Sequence, residues 1–256
     1  MIAKKSKGLS FFGREEEITM LLCHLLLVCG ALSLAWYLAE KLRRYSVRGV
    51  LRKGLCSALF VALAICAWSA SAGERGLQPL GGFVCLGLVF GLLGDVWLDL
   101  KYVFPDADEP FTFAGFASFG IGHILFCLGL VRQYAHAGMG AIFWLPLLLA
   151  LLMGMAIAVM EKPMKLRYGK FKPVVAGYGF LLFSTVLLSG ALAVNEGFRC
   201  VSLNLFFAGA VLFAVSDLIL SGTYFGEGRE RPVDLLLNYL SYYPAQFLIA
   251  YSLLYL

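Results

Sequence analysis

The chain has 256 residues, of which 61% are hydrophobic and 14% charged, with a mean hydropathy of +0.82 and a formal net charge of +5. Charged residues approach a quarter of a soluble domain, so this balance excludes an ordinary soluble globular protein and identifies an integral membrane protein. The positive charge does not point to nucleic acid, because the basic residues gather in short segments beside apolar runs, where membrane topology selects them.

A helix needs about 20 apolar residues to cross a hydrocarbon core of roughly 30 Å. Such stretches are predicted near 18–39, 54–72, 80–100, 112–132, 139–160, 172–194, 201–221 and 235–255. The fold class is therefore all-α: a polytopic bundle of eight transmembrane helices forming one domain over residues 1–256. A β-barrel would show segments of about ten alternating residues, and runs such as ALFVALAICAW and FVCLGLVFGLL do not alternate.

The segment MIAKKSKGLSFFGREEE precedes an apolar run too long for a signal-peptide core and without a small-residue cleavage site, so 18–39 reads as a retained helix. A loop with six Lys and Arg (41–53) leads to helix two. In helix three Gly87, Gly91, Asp95 and Asp99 recur every four residues and share one face, where the glycines admit a close neighbour. A carboxylate inside hydrocarbon is costly unless it faces a partner or a wet cavity, which turns Asp95 into the bundle. Asp99, with Lys101 two residues on, reads as a boundary residue within reach of headgroup water.

Helix four carries a line of small residues, Ala114, Ser118 and Gly122, beside His123, which is either a site residue or the donor of a plain interhelical hydrogen bond. Helix six has Tyr178 in its first half, and helix seven has Ser216-Asp217 within FAVSDLILSG. Helix eight carries Asn238 in its early half, and its Tyr239, Tyr242, Tyr243 and Gln246 follow i, i+3, i+4, i+7 as one polar-aromatic stripe. Tyr239 and Tyr242 also suit an interfacial aromatic belt. Cys127 reads as core, and neither His24 nor His136 has a special role. Seven cysteines lie in or beside apolar spans without a disulfide framework or metal spacing, and no cofactor or metal is expected.

The odd-numbered loops hold fourteen Lys and Arg, while the N-terminal tail and even loops hold seven. The positive-inside bias then places the odd loops in the cytoplasm and both termini on the other side, in a bacterial plasma membrane or an endoplasmic reticulum. Helices three and seven end on the side where four, six and eight begin. The intramembrane polar groups therefore converge on one half of the bilayer.

The ordered set GLLGDVWL, FAGFASFGIGHILF, FAGAVLFAVSDLILSGTYF and YYPAQFLIAYSL resembles the YhhN family of membrane lysoplasmalogenases over residues 84–131 and 205–252. The resemblance implies hydrolysis of the vinyl ether of a lysoplasmalogen, a lysophospholipid of the bilayer, to a fatty aldehyde and a glycerophospho-head group. Carried over by position, the family's acidic motifs fall on Asp95 and Asp217, its Gly-His on Gly122-His123, and its Tyr-Tyr-x-x-Gln on Tyr242, Tyr243 and Gln246. Many members have Lys-Pro at the start of helix two, where this chain has Lys53-Gly54.

Vinyl ethers hydrolyse when an acid protonates the β-carbon and water captures the resulting oxocarbenium ion. Glycosidic bonds pass through a similar cation, handled by one protonated and one ionised carboxyl group. Low dielectric favours the protonated form of a carboxyl group, and a second carboxylate nearby favours it further. Asp95, placed the deeper, is assigned the acid and Asp217 the stabiliser or water-orienting base. His123 would hold a carboxylate or shuttle the proton. The expected substrate contacts are Tyr243, Gln246, Tyr242, Tyr178, Ser118, Asn238 and Asp99.

Three other readings compete. Intramembrane Asp and His also make transporters and flippases, and the two Asp motifs, 122 residues apart, sit as a four-plus-four duplication would place them. A zinc hydrolase of the ceramidase type would need several His and Asp ligands, and only three histidines exist. A structural or regulatory membrane protein is the third. The oligomeric state is open.

Overall fold

The computed structural model describes residues 2–42, 46–72, 76–135, 139–226 and 231–256, with side chains from Glu17 onward. His136 and the tail residues Glu15 and Glu16 lie outside the described side chains. The described residues form eight α-helices: α1 (Ile2–Lys41), α2 (Val47–Ala70), α3 (Pro79–Val103), α4 (Asp108–Tyr134), α5 (Gly140–Val159), α6 (Lys172–Asn195), α7 (Val201–Phe225) and α8 (Pro232–Ser252). Lipid offers no hydrogen-bond partner to a bare backbone, so apolar spans close their bonds internally as helices. Prolines open the first turns of α3, α6 and α8, positions where the missing N–H costs nothing.

Seven of these helices are long and apolar enough to cross a membrane, α1 doing so from Glu17. The eight predicted spans are thus eight helices, with α8 short of that criterion. Its stripe of Asn238, Tyr239, Tyr242, Tyr243 and Gln246 lowers its mean hydropathy, and all five side chains are buried against protein rather than lipid.

The predicted loop 41–53 is too long. Helix α2 starts at Val47, because the Ser46 hydroxyl accepts a hydrogen bond from the Gly49 N–H at 3.1 Å and caps the first turn. Arg48, Arg52 and Lys53 lower the apolarity of the first two turns, which places the predicted start at residue 54. Lys41, Arg48, Arg52 and Lys53 are all helical, Lys41 and Lys53 being buried as well, so four of the six basic residues of that stretch belong to helices.

Helices α2, α3, α4, α6, α7 and α8 pack consecutively and close into a ring, since α8 returns to α2. Helix α1 lies outside the ring against α2 and α8, and α5 lies outside it against α6. The outer faces of these two helices are apolar: Leu32 is 67% and Trp144 73% exposed, as lipid contact requires.

Glycines set the closest helix crossings. A Cβ on Gly122 of α4 would stand 3.0 Å from the Gly87 carbonyl oxygen of α3, which explains the small-residue lines on those two helices. A Cβ on Gly209 of α7 would meet the Ala245 carbonyl at 2.9 Å and the Ile249 nitrogen at 3.2 Å, both backbone atoms of α8. Overpacking costs about 1–3 kcal/mol, so Gly209→Val is expected to lower stability by about that amount in detergent. Gly177→Ala is the control, because no atom lies within 4 Å of its added carbon. Denaturant titration of the two variants checks the difference.

Candidate functional site

Asp95 and Asp217 each stand eight residues before the last residue of their helix, Val103 and Phe225. At 1.5 Å per residue both carboxyls lie about 12 Å inside, at matching depth. The sequence placed Asp95 one residue deeper because it ended helix three three residues early and helix seven four, a difference the observed α3 and α7 remove.

Both carboxyls line one small polar cavity inside the ring, together with Lys53, Asn238, Tyr239 and Tyr242 and the walls Leu98, Phe119, Leu220 and Tyr224. A second, apolar chamber lies between α4, α6 and α7. Leu98, Phe119, Asp217, Leu220 and Tyr224 line both spaces. Asp217 thus stands on their shared wall, whereas Asp95 lines the polar cavity alone.

The two acids have different partners. Asp95 Oδ2 accepts from the Ser57 hydroxyl at 2.6 Å and the Tyr242 hydroxyl at 2.8 Å, and Oδ1 faces the Lys53 ammonium at 3.2 Å. Three donors, one of them charged, are the set that a carboxylate anion accepts. Asp217 accepts a short hydrogen bond from the Tyr178 hydroxyl and a longer one, at 3.5 Å, from Ser216. Among the described residues no ammonium or guanidinium pairs with it. The Asn238 amide donates to the Ser216 carbonyl at 2.8 Å, tying α8 to the turn that carries Asp217.

A charged layer lies behind Asp95. Lys53 Nζ is also 3.5 Å from Asp99 Oδ1, which Lys41 Nζ approaches to 2.7 Å. The Tyr37 hydroxyl donates to Asp99 Oδ2 at 3.0 Å and lies 2.8 Å from the Tyr239 hydroxyl. Tyr37/Lys41, Lys53/Ser57 and Asp95/Asp99 are three i, i+4 pairs on α1, α2 and α3, each presenting one face of its helix. Buried charges survive only when matched in this way.

The other residues singled out from sequence divide into two groups. Tyr178, Asn238 and Tyr242 touch the acids or line the cavities. The belt reading of Tyr239 and Tyr242 is wrong, because both are buried in the ring. Asp99 is no boundary residue either: it is 4% exposed and paired with two lysines. Gln246 stands one step back, donating from Nε2 to the Tyr242 hydroxyl at 2.9 Å and leaving Oε1 buried without a partner. The Tyr243 hydroxyl lies 3.4 Å from the Ser57 hydroxyl, and Ser118 is buried on α4.

His123 is buried beside Tyr178 and Phe213, with ring centroids 5.7 and 4.9 Å away. Its Nδ1 lies 3.1 Å from the Thr185 hydroxyl, and Nε2 has no partner. It lines neither cavity. Among the described residues no three His, Cys, Asp or Glu side chains group as a metal site.

Sequence reasoning missed Lys41, Ser57 and Tyr37 and left Lys53 without a role. The signal was present: extending helix two back to Ser46 puts Lys53 and Ser57 four residues apart on one face.

The α5–α6 connector closes one side of the apolar chamber with Met164 and Tyr168. It docks on the end of α7 through an antiparallel bridge between Leu166 and Gly226 and a bond from the Arg167 N–H to the Phe225 carbonyl at 2.8 Å. Glu161 anchors its base, accepting from the Tyr168 N–H and from Lys172, each at 2.8 Å. Those bonds, the Lys172 one foremost, hold the Glu161 carboxyl below the usual range.

Residues 51–253 match the model of the YhhN family. No curated protein and no solved structure matches the chain.

Proposed function

The chain belongs to the YhhN family, the lysoplasmalogenase family, and from that premise we propose that it hydrolyses the vinyl ether of 1-alkenyl lysophospholipids by acid catalysis between Asp217 and Asp95. The observation that carries this reading is the pair of acids on one polar cavity, with one of them on the wall of an apolar chamber. A lysolipid has one chain and one polar head. With the chain in the apolar chamber, the β-carbon lies next to Asp217, while the α-carbon and ether oxygen lie toward Asp95 and Tyr242.

This order reverses the roles assigned from sequence. Asp217, with no cation beside it, is the proton donor; Asp95, held by Lys53, Ser57 and Tyr242, is the anion. The Asp217 proton forms the new C–H bond at the β-carbon, and the double-bond electrons leave a cation shared by the α-carbon and the ether oxygen. The Asp95 carboxylate stabilises that charge and takes a proton from the water that adds to the α-carbon. The hemiacetal then returns its hydroxyl proton to Asp217, the ether oxygen takes the proton from Asp95, and the C–O bond breaks. Aldehyde and alcohol leave with both carboxyls restored and one water consumed.

Asn238 and Tyr239 line the end of the polar cavity that would hold the glycerol. With the odd connections cytoplasmic, as the basic residues favour, the site serves the cytoplasmic leaflet. Purified protein is expected to release fatty aldehyde from a 1-alkenyl lysophospholipid and nothing from the 1-acyl and 1-alkyl analogues, followed by mass spectrometry. Equal cleavage of the acyl lipid would identify an esterase, and gradient-driven movement of intact lipid would identify a transporter.

A further inference from the structure

Helix α1 lies outside the matched residues 51–253 and outside the ring, and most of its surface faces away from the protein, with Leu21 60% exposed. Its last turns differ: Tyr37 and Lys41 are buried and reach α3. Lys41 and Asp99 stand behind the polar cavity, which Lys53 and Asp95 line. The four charges run in the order Lys41, Asp99, Lys53, Asp95 at 2.7, 3.5 and 3.2 Å. They sum to zero, and one oxygen, Asp99 Oδ1, is shared by both ammoniums. Lys53 therefore has a choice between two carboxylates, and Lys41 occupies one of them.

We propose that Lys41 is a positioning residue: by neutralising Asp99 from α1, it leaves the Lys53 ammonium to Asp95. Without Lys41, the uncompensated Asp99 carboxylate draws Lys53 away, and Asp95 on the polar cavity loses its cation. Among the described residues the other nearby cation, Lys101 on α3, is paired with Asp108 at 3.5 Å. Tyr37 on α1, Tyr239 and Tyr243 on α8 and Ser57 on α2 are neutral hydroxyls, and Tyr102 on α3 offers Lys41 a ring face at 4.6 Å. A helix beyond the family match thus sets the charge balance of the family's site. This rests on the role given above to Asp95.

A double-mutant cycle in detergent tests it. Lys41→Met is expected to lower kcat about 10-fold with KM unchanged, the low end of what outer-layer partners cost at metal centres. Asp99→Asn in the same chain removes the competing carboxylate, so the double variant is expected to recover to within about 3-fold of the parent, a gain that independent defects do not give. A double variant no faster than Lys41→Met, or a folded Lys41→Met with parental kcat, overturns the proposal.

The second readout needs no turnover. In ¹⁵N-lysine-labelled protein the Lys53 Nζ resonance, assigned by its loss in Lys53→Met, is expected to shift in Lys41→Met and return in the double variant. An unmoved resonance in Lys41→Met sinks the proposal. Absence of aldehyde from the parent protein instead counts against the proposed reaction while the resonance still decides the charge arrangement. If Lys41→Met alone does not fold, the double variant carries the test, and a displaced resonance in it is the contradicting result.

Discussion

Replacing Asp217 by Asn is expected to lower the turnover of a 1-alkenyl lysophospholipid by about 10²–10⁴-fold, the share of rate that a positioned general acid supplies. Asparagine keeps the size of the side chain and can still accept from the Tyr178 hydroxyl, so the protein should fold. What it lacks is a proton to place on the β-carbon. KM should change little if, as proposed, the apolar chamber rather than the carboxyl holds the chain. Asp95→Asn is expected to slow the same reaction by removing the anion that stabilises the cation. Near-normal turnover in both variants, each properly folded, would end the two-acid mechanism. Near-normal turnover in Asp217→Asn alone would return the acid role to Asp95.

The largest effect on stability is expected at Lys53. Its ammonium is the cation shared by Asp95 and Asp99, and breaking a buried pair by removing one partner typically costs about 3–5 kcal/mol, since a buried charge is left unmatched. Lys53→Met keeps most of the apolar stem and removes the charge. Denaturant titration in detergent should show a loss of that size. By comparison Arg52→Met, which breaks the partly buried 3.1 Å pair with Glu40 and the contact with the Trp36 ring, should cost less, about 1 kcal/mol. A Lys53→Met protein as stable as the Arg52→Met one would mean that the buried layer is not held by charge.

The spans were legible because apolar length is a strong signal: 172–194 was read where α6 runs Lys172–Asn195, and 139–160 where α5 runs Gly140–Val159. The inward faces were legible too, since Gly87, Gly91 and Asp95 recur at helical spacing and Gly91 does admit a neighbour, the Gln246 amide. Lys41 and Lys53 were not, because a lysine beside an apolar run looks the same whether it reaches toward headgroups or folds back onto a carboxylate. Topological charge and site charge are written with the same residues. The sequence also gives no sign that α4 skips α5 to pack on α6. That closure turns one face of α8 inward, and puts Asn238, Tyr239 and Tyr242 of a stripe that resembled an interfacial belt on the wall of the polar cavity.

The mechanism is tested most directly by running the reaction in deuterium oxide and trapping the fatty aldehyde as it forms. Protonation of the β-carbon requires one solvent-derived deuterium on the carbon next to the carbonyl. That label should appear with the parent protein, and its formation should fall with overall turnover in Asp217→Asn. An aldehyde without deuterium, or one carrying a hydroxyl at that carbon from oxidative cleavage, would contradict proton transfer to the double bond and with it the paired-acid account of this site.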